Sequence, residues 1–66
     1  MKGWTVVFEG ARWEADMVMA VLEAKGIRVE TLGGMGEYLA TNFYDSVVYV
    51  PDPEAGQAKA VLAALD

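Results

Sequence analysis

The stretch that most constrains this chain runs from Arg12 to Ile27 and reads as one amphipathic helix with the turn that ends it. Steps of about 100° per residue put Ala11, Ala15, Val18 and Leu22 in one row, with Met17 and Val21 beside them. Arg12, Asp16, Met19 and Glu23 are expected opposite, facing water. Glu14 and Asp16 near the start and Lys25 near the end suit the helix dipole. Gly26 is the expected terminating residue, because glycine takes a left-handed conformation without a Cβ penalty. Every other apolar segment is short enough to be a strand and needs a surface that this helix can cover.

The segments around the helix supply those strands. Trp4 to Glu9 is rich in β-branched and aromatic residues, and its alternation puts Trp4, Val6 and Phe8 on one side, Thr5 and Val7 on the other. Ile27 to Thr31 alternates apolar and polar, as a strand with one solvated face does. Ser46 to Val50 is apolar on both faces, which suits a central strand, and Pro51 closes it. Asp52-Pro53-Glu54 then opens a second helix with a capping carboxylate and proline at its first position. Ala55, Ala58, Val61, Leu62 and Leu65 form its apolar stripe, with Gly56 as a weak point.

The order βαββα over residues 1–66 predicts a single α+β domain. A right-handed crossover makes the first two strands parallel, and the third fits antiparallel between them. The result is a ferredoxin-like plait lacking the fourth strand: a three-stranded sheet of order 1-3-2 with both helices on one face. The first strand keeps an unpaired edge, and the open face carries Arg28 and Glu30 among apolar groups.

Composition narrows the function classes. The 66 residues contain no cysteine and no histidine, so disulfides and thiolate or imidazole metal sites are excluded. A core of this size rarely yields more than about 3–5 kcal/mol unaided, which leaves self-association as the remaining supplement. A homo-oligomer, dimer or trimer, is expected through the first strand or the open sheet face. The net charge of −5 argues against nucleic acid, which needs a basic face, and against an anionic membrane surface. The start of the sequence meets Glu9 too early for a signal-peptide apolar region, and no apolar run approaches the roughly 18–20 residues of a membrane span. A cytoplasmic protein is the expectation.

Two stretches resemble a known family. They are Glu14-Ala15-Asp16-Met17-Val18 with Val21-Leu22-Glu23-Ala24-Lys25-Gly26-Ile27, and Val48-Tyr49-Val50-Pro51-Asp52-Pro53-Glu54 with Ala58-Lys59-Ala60-Val61-Leu62. The chain resembles the small bacterial domains of unknown function labelled prokaryotic signal-transducing proteins. The matching positions, Ala15, Val18, Leu22, Gly26, Ile27, Val48, Val50, Ala58 and Leu62, are structural. The resemblance implies a ferredoxin-like fold, distantly similar to the PII-type nitrogen-regulatory proteins, which are trimers with a flexible loop between their second and third strands. It implies no catalytic residue.

That loop position is where chemistry is sought here. Gly33, Gly34 and Gly36 could cradle a phosphate with backbone N–H groups, although the full glycine-rich pattern is missing and no Lys or Arg lies between Arg28 and Lys59. The plainer expectation is a hairpin that needs positive φ. Tyr38, Phe43 and Tyr44 could wall a small ligand or a protein partner; the plainer expectation is packing of the long loop onto the sheet. Trp13, near the polar side of the wheel, either caps the open end of the core or enters an oligomer contact. The acidic pairs Glu14 with Asp16 and Glu37 with Asp45 read as solvated surface rather than a magnesium site. Ser46 lacks a base to activate it. The expectation is a non-enzymatic binding or regulatory module without cofactor, whose ligand or partner would meet Gly33, Gly34, Gly36, Tyr38, Phe43 and Tyr44. The alternatives are a structural protein–protein interaction domain without a small ligand and, least favoured, a small metal-dependent enzyme using Glu37 and Asp45.

Overall fold

Helix termination and strand pairing together build this fold from its longest helix outward. The computed structural model describes residues 2–31 and 46–65. The elements are β1 (Trp4–Gly10), α1 (Arg12–Ala24), β2 (Glu30–Thr31), β3 (Ser46–Pro51), a 3-10 turn (Asp52–Glu54) and α2 (Ala55–Ala63). β3 lies in the middle of a β1-β3-β2 sheet and pairs antiparallel with both neighbours, so β1 and β2 run parallel. Both helices contact β1 and β3 or pack against their side chains from one side. This is the α+β plait lacking a strand, with the strand order expected from the sequence.

α1 ends in a Schellman motif. The Ile27 N–H donates to the Leu22 carbonyl at 3.0 Å and the Gly26 N–H to the Glu23 carbonyl at 2.9 Å. Gly26 takes φ +81°, as the turn requires. The motif brings Ile27 back over Leu22, and both are buried in the core with Ala15, Val18, Val48, Val50 and Ala58. Ile27 therefore serves the helix end rather than a strand. β2 shrinks to Glu30 and Thr31, where the sequence pattern spans Ile27 to Thr31.

The wheel assignments of the two central methionines are corrected by the structure. Met17 is 57% exposed, whereas Met19 packs against the core. The core direction is set by Ala15, Val18 and Leu22, and Met17 lies roughly 130° around the helix from their mean while Met19 lies roughly 70° from it. α2 is corrected at both ends. No side chain caps it, since the Asp52 carboxylate bonds elsewhere and a 3-10 turn precedes the helix. Leu65 lies beyond the last helical residue, Ala63, and is 54% exposed rather than part of the stripe.

β1 contains a bulge. The register runs Val6 to Tyr49 and then Phe8 to Val48, leaving Val7 as the extra residue. The inserted residue breaks the simple alternation of β1. Phe8 consequently shares the face of Val48 and packs on the core, not with Trp4 and Val6 as the uninterrupted alternation predicts. Its ring lies over Gly10, where a Cβ would come within 2.8 Å of Phe8 Cζ. Gly10 is thus the close-approach residue that lets β1 turn into α1.

Candidate functional site: the uncovered sheet face

β3 sorts its residues strictly by face. Ser46, Val48 and Val50 are buried; Val47, Tyr49 and Pro51 are half-buried on the other side. Cross-strand pairing places Glu9 with Val47, Val6 with Tyr49 and Trp4 with Pro51, and on the far side Glu30 with Tyr49. The face that no described residue covers is therefore an apolar and aromatic strip, Trp4, Val6, Val47, Tyr49 and Pro51, edged by Glu9 and Glu30. Val6 is 41% exposed there although it sits inside a strand.

One end of this face is more elaborate. β1 and β2 run parallel, so the start of β1 and the approach to β2 reach the same edge of the sheet, with Pro51 of β3 between them. The Arg28 guanidinium carbon stands 5.9 Å from the centroid of the Trp4 ring, at the outer limit of a cation–π contact. Trp4, Glu23, Arg28, Val29 and Glu30 line an open cleft of about 430 Å³.

Three hydrogen bonds fix this end. The Thr5 hydroxyl donates to Asp52 Oδ1 at 2.6 Å, and the Asp52 N–H donates to the Gly3 carbonyl at 2.9 Å. The Arg28 N–H donates to Glu54 Oε1 at 3.2 Å. Gly3 takes φ +84°, which carries the chain into this contact. The acidic Asp52-Pro53-Glu54 turn thus ties the start of β1 and the approach to β2 to the end of β3. This is what Asp52 does in place of capping α2.

Chemically the cleft offers an indole face, one guanidinium and the carboxylates of Glu23 and Glu30. It can receive an apolar or planar group against Trp4, an acceptor on Arg28 and a donor on a carboxylate. Among the described residues no group of three or more acidic, cysteine or histidine side chains could hold a metal ion, and no helix is long and apolar enough to cross a membrane. Gly33, Gly34, Gly36, Tyr38, Phe43 and Tyr44, and the pair Glu37 and Asp45, lie outside the described residues.

Sequence reasoning placed Arg28 on the open face but missed its contact with Trp4. The signal was present: two parallel strands flanking a third begin at the same end, so large residues near their starts meet across a small one such as Pro51. The chain matches no family model, no curated protein and no solved structure.

Proposed function

We propose that this chain is a non-enzymatic binding module of a regulatory kind, and that the uncovered sheet face is a surface through which it binds. The observation that carries this is the Trp4–Arg28 pair at the hydrogen-bonded end of an otherwise apolar, uncovered strip. Large apolar side chains held on an open sheet face cost solubility unless something uses them. The resemblance to the signal-transducing domains, and the expected homo-oligomer, belong to the same proposal. So does a role for residues 33–45, which lie in the sequence between β2 and β3.

Trp4 reports on the site directly. With Trp13→Phe, Trp4 is the remaining tryptophan, since the chain has two. Titration of that variant with amino acids, nucleotides, divalent ions and short peptides is expected to change Trp4 emission saturably for one class. Arg28→Ala is expected to remove the response. A response confined to peptides selects the interaction-domain reading without a small ligand. No response to any class, with the fold intact by circular dichroism, contradicts the proposal for this face. Turnover of any substrate contradicts its non-enzymatic part.

A further inference from the structure

The outward side of α1 is apolar as well. Trp13 is 65% and Met17 57% exposed, and Ala20 and Ala24 continue the same line at spacings of four, three and four residues. That is the spacing of a coiled-coil seam, on the side of the helix turned away from the sheet. A solvated helix face is ordinarily charged, yet this one carries its charges only on the flanks. Beside it, α2 exposes Gly56, Ala60 and Ala63, and its end exposes Ala64, all small enough for another backbone to come close.

We propose that this face is covered by a second copy of the chain, with the two α1 helices antiparallel about a twofold axis between Met17 and Ala20. Size argues for that direction. The bulky residues, Trp13 and Met17, occupy the first half of the seam and the small ones, Ala20 and Ala24, the second half. Antiparallel pairing seats Trp13 on the partner copy's Ala24 position and Met17 on its Ala20 position, whereas parallel pairing stacks bulk on bulk and leaves a gap beside it.

Charge argues that the occupant is a second copy. One flank has Arg12 at its start and Glu23 at its end; the other has Glu14 at its start and Lys25 at its end. Antiparallel helices bring like flanks together end to end, so each cation meets a carboxylate of the other copy. Parallel pairing would set one flank against the other and also bring Arg12 to Glu14 and Glu23 to Lys25, so the direction rests on size. Asp16 remains near Glu23 of the other copy on the first flank, with Arg12 one turn away on its own helix.

The β1 edge is a poorer route to the same end. Its bulge at Val7 interrupts the ladder and twists the strand, a device that blunts edge pairing. Stacking the helix layers leaves the uncovered sheet faces outward and free. The inference rests on the self-association part of the proposal above and is independent of binding at Trp4 and Arg28.

The test is sedimentation equilibrium of the full chain with two single variants, plus a cross-linking pair. The wild type is expected to be a dimer at micromolar concentration. Met17→Glu is expected to weaken it by at least about 100-fold, and Val6→Glu on the sheet face to change it less than about 3-fold. Circular dichroism checks that both variants are folded. The chain has no cysteine, so Met17→Cys mixed with Ala20→Cys should form an intermolecular disulfide, while each alone should not. A monomeric wild type overturns both self-association and this surface. A dimer indifferent to Met17→Glu, or a Met17→Cys variant that cross-links to itself and not to Ala20→Cys, overturns the antiparallel pairing alone. Should both glutamate variants dissociate, the cross-link decides: the mixed disulfide supports the pairing and its absence overturns it.

Discussion

Val47 and Val48 are neighbours in β3 with identical side chains, and they inhabit opposite worlds. Val48 is fully enclosed beneath the helices with Leu22 and Val50, while Val47 lies half-buried on the uncovered face beside Tyr49 and Glu9. The difference teaches that apolar character alone does not say what a strand residue is for. On one face it supplies stability, because the helices exclude water from it. On the other no described residue covers it. A domain with so small a core spends few apolar residues without consequence, so the uncovered strip is the more informative of the two faces.

The largest expected effect falls on the covered face. Leu22 is fully buried and joins the helix, its terminating motif and the sheet. Leu22→Ala is predicted to cost about 2–5 kcal/mol, comparable with the whole stability of a domain this size. Thermal melts should show the variant largely unfolded or non-cooperative at 25 °C.

Gly26→Ala attacks the same face through the backbone. No atom would crowd the added Cβ, so the cost is that of φ +81° for an L-residue, about 1 kcal/mol. Urea denaturation should read this as a lower midpoint with an unchanged slope. The hydrogen-bonded end of the sheet is probed by Thr5→Val, which removes the hydroxyl donated to Asp52 from the face of Val50. A loss of about 0.5–1.5 kcal/mol is expected, with a shift of Trp4 emission in the Trp13→Phe background.

Gly56→Ala should go the other way. Gly56 is exposed in α2, and its Cβ would meet nothing within 4 Å. Helix propensity then predicts a gain of about 0.5–1 kcal/mol in the monomer. If the helix layers pack as inferred, the same methyl should weaken dimerisation, which separates the two effects by their concentration dependence.

Much of the covered face was legible in the sequence. The row Ala15, Val18, Leu22, the stop at Gly26 and the two-faced apolar strand Ser46–Val50 specify a helix on a central strand, and with it the strand order. What escaped was set by local competition. The bulge at Val7 reversed the face of Phe8, and no residue type announces a bulge at a valine. Asp52 carried every mark of a helix cap, yet a 2.6 Å bond to Thr5, distant in sequence, won its carboxylate. Ile27 fitted a strand and was claimed by the helix end. Met17 falls beside the row that includes Ala11 only on a broad reading of the wheel; measured from Ala15, Val18 and Leu22 alone, its angle of roughly 130° places it outside.

For the site, Arg28 and Glu30 were legible from alternation, whereas the Trp4–Arg28 contact needed the parallel relation of β1 and β2. The glycine and aromatic residues between 33 and 44 lie outside the described residues, so the structure neither joins them to the cleft nor separates them from it.

The most direct measurement compares Val47→Ala with Val48→Ala by urea denaturation under one set of conditions. The two substitutions remove the same atoms from the same strand and sacrifice the same intrinsic strand preference. The two-faced account predicts a loss of about 2 kcal/mol for Val48→Ala and under about 1 kcal/mol for Val47→Ala. Equal losses, or the larger loss at Val47, would mean that the second face is covered and structural, and would contradict the account.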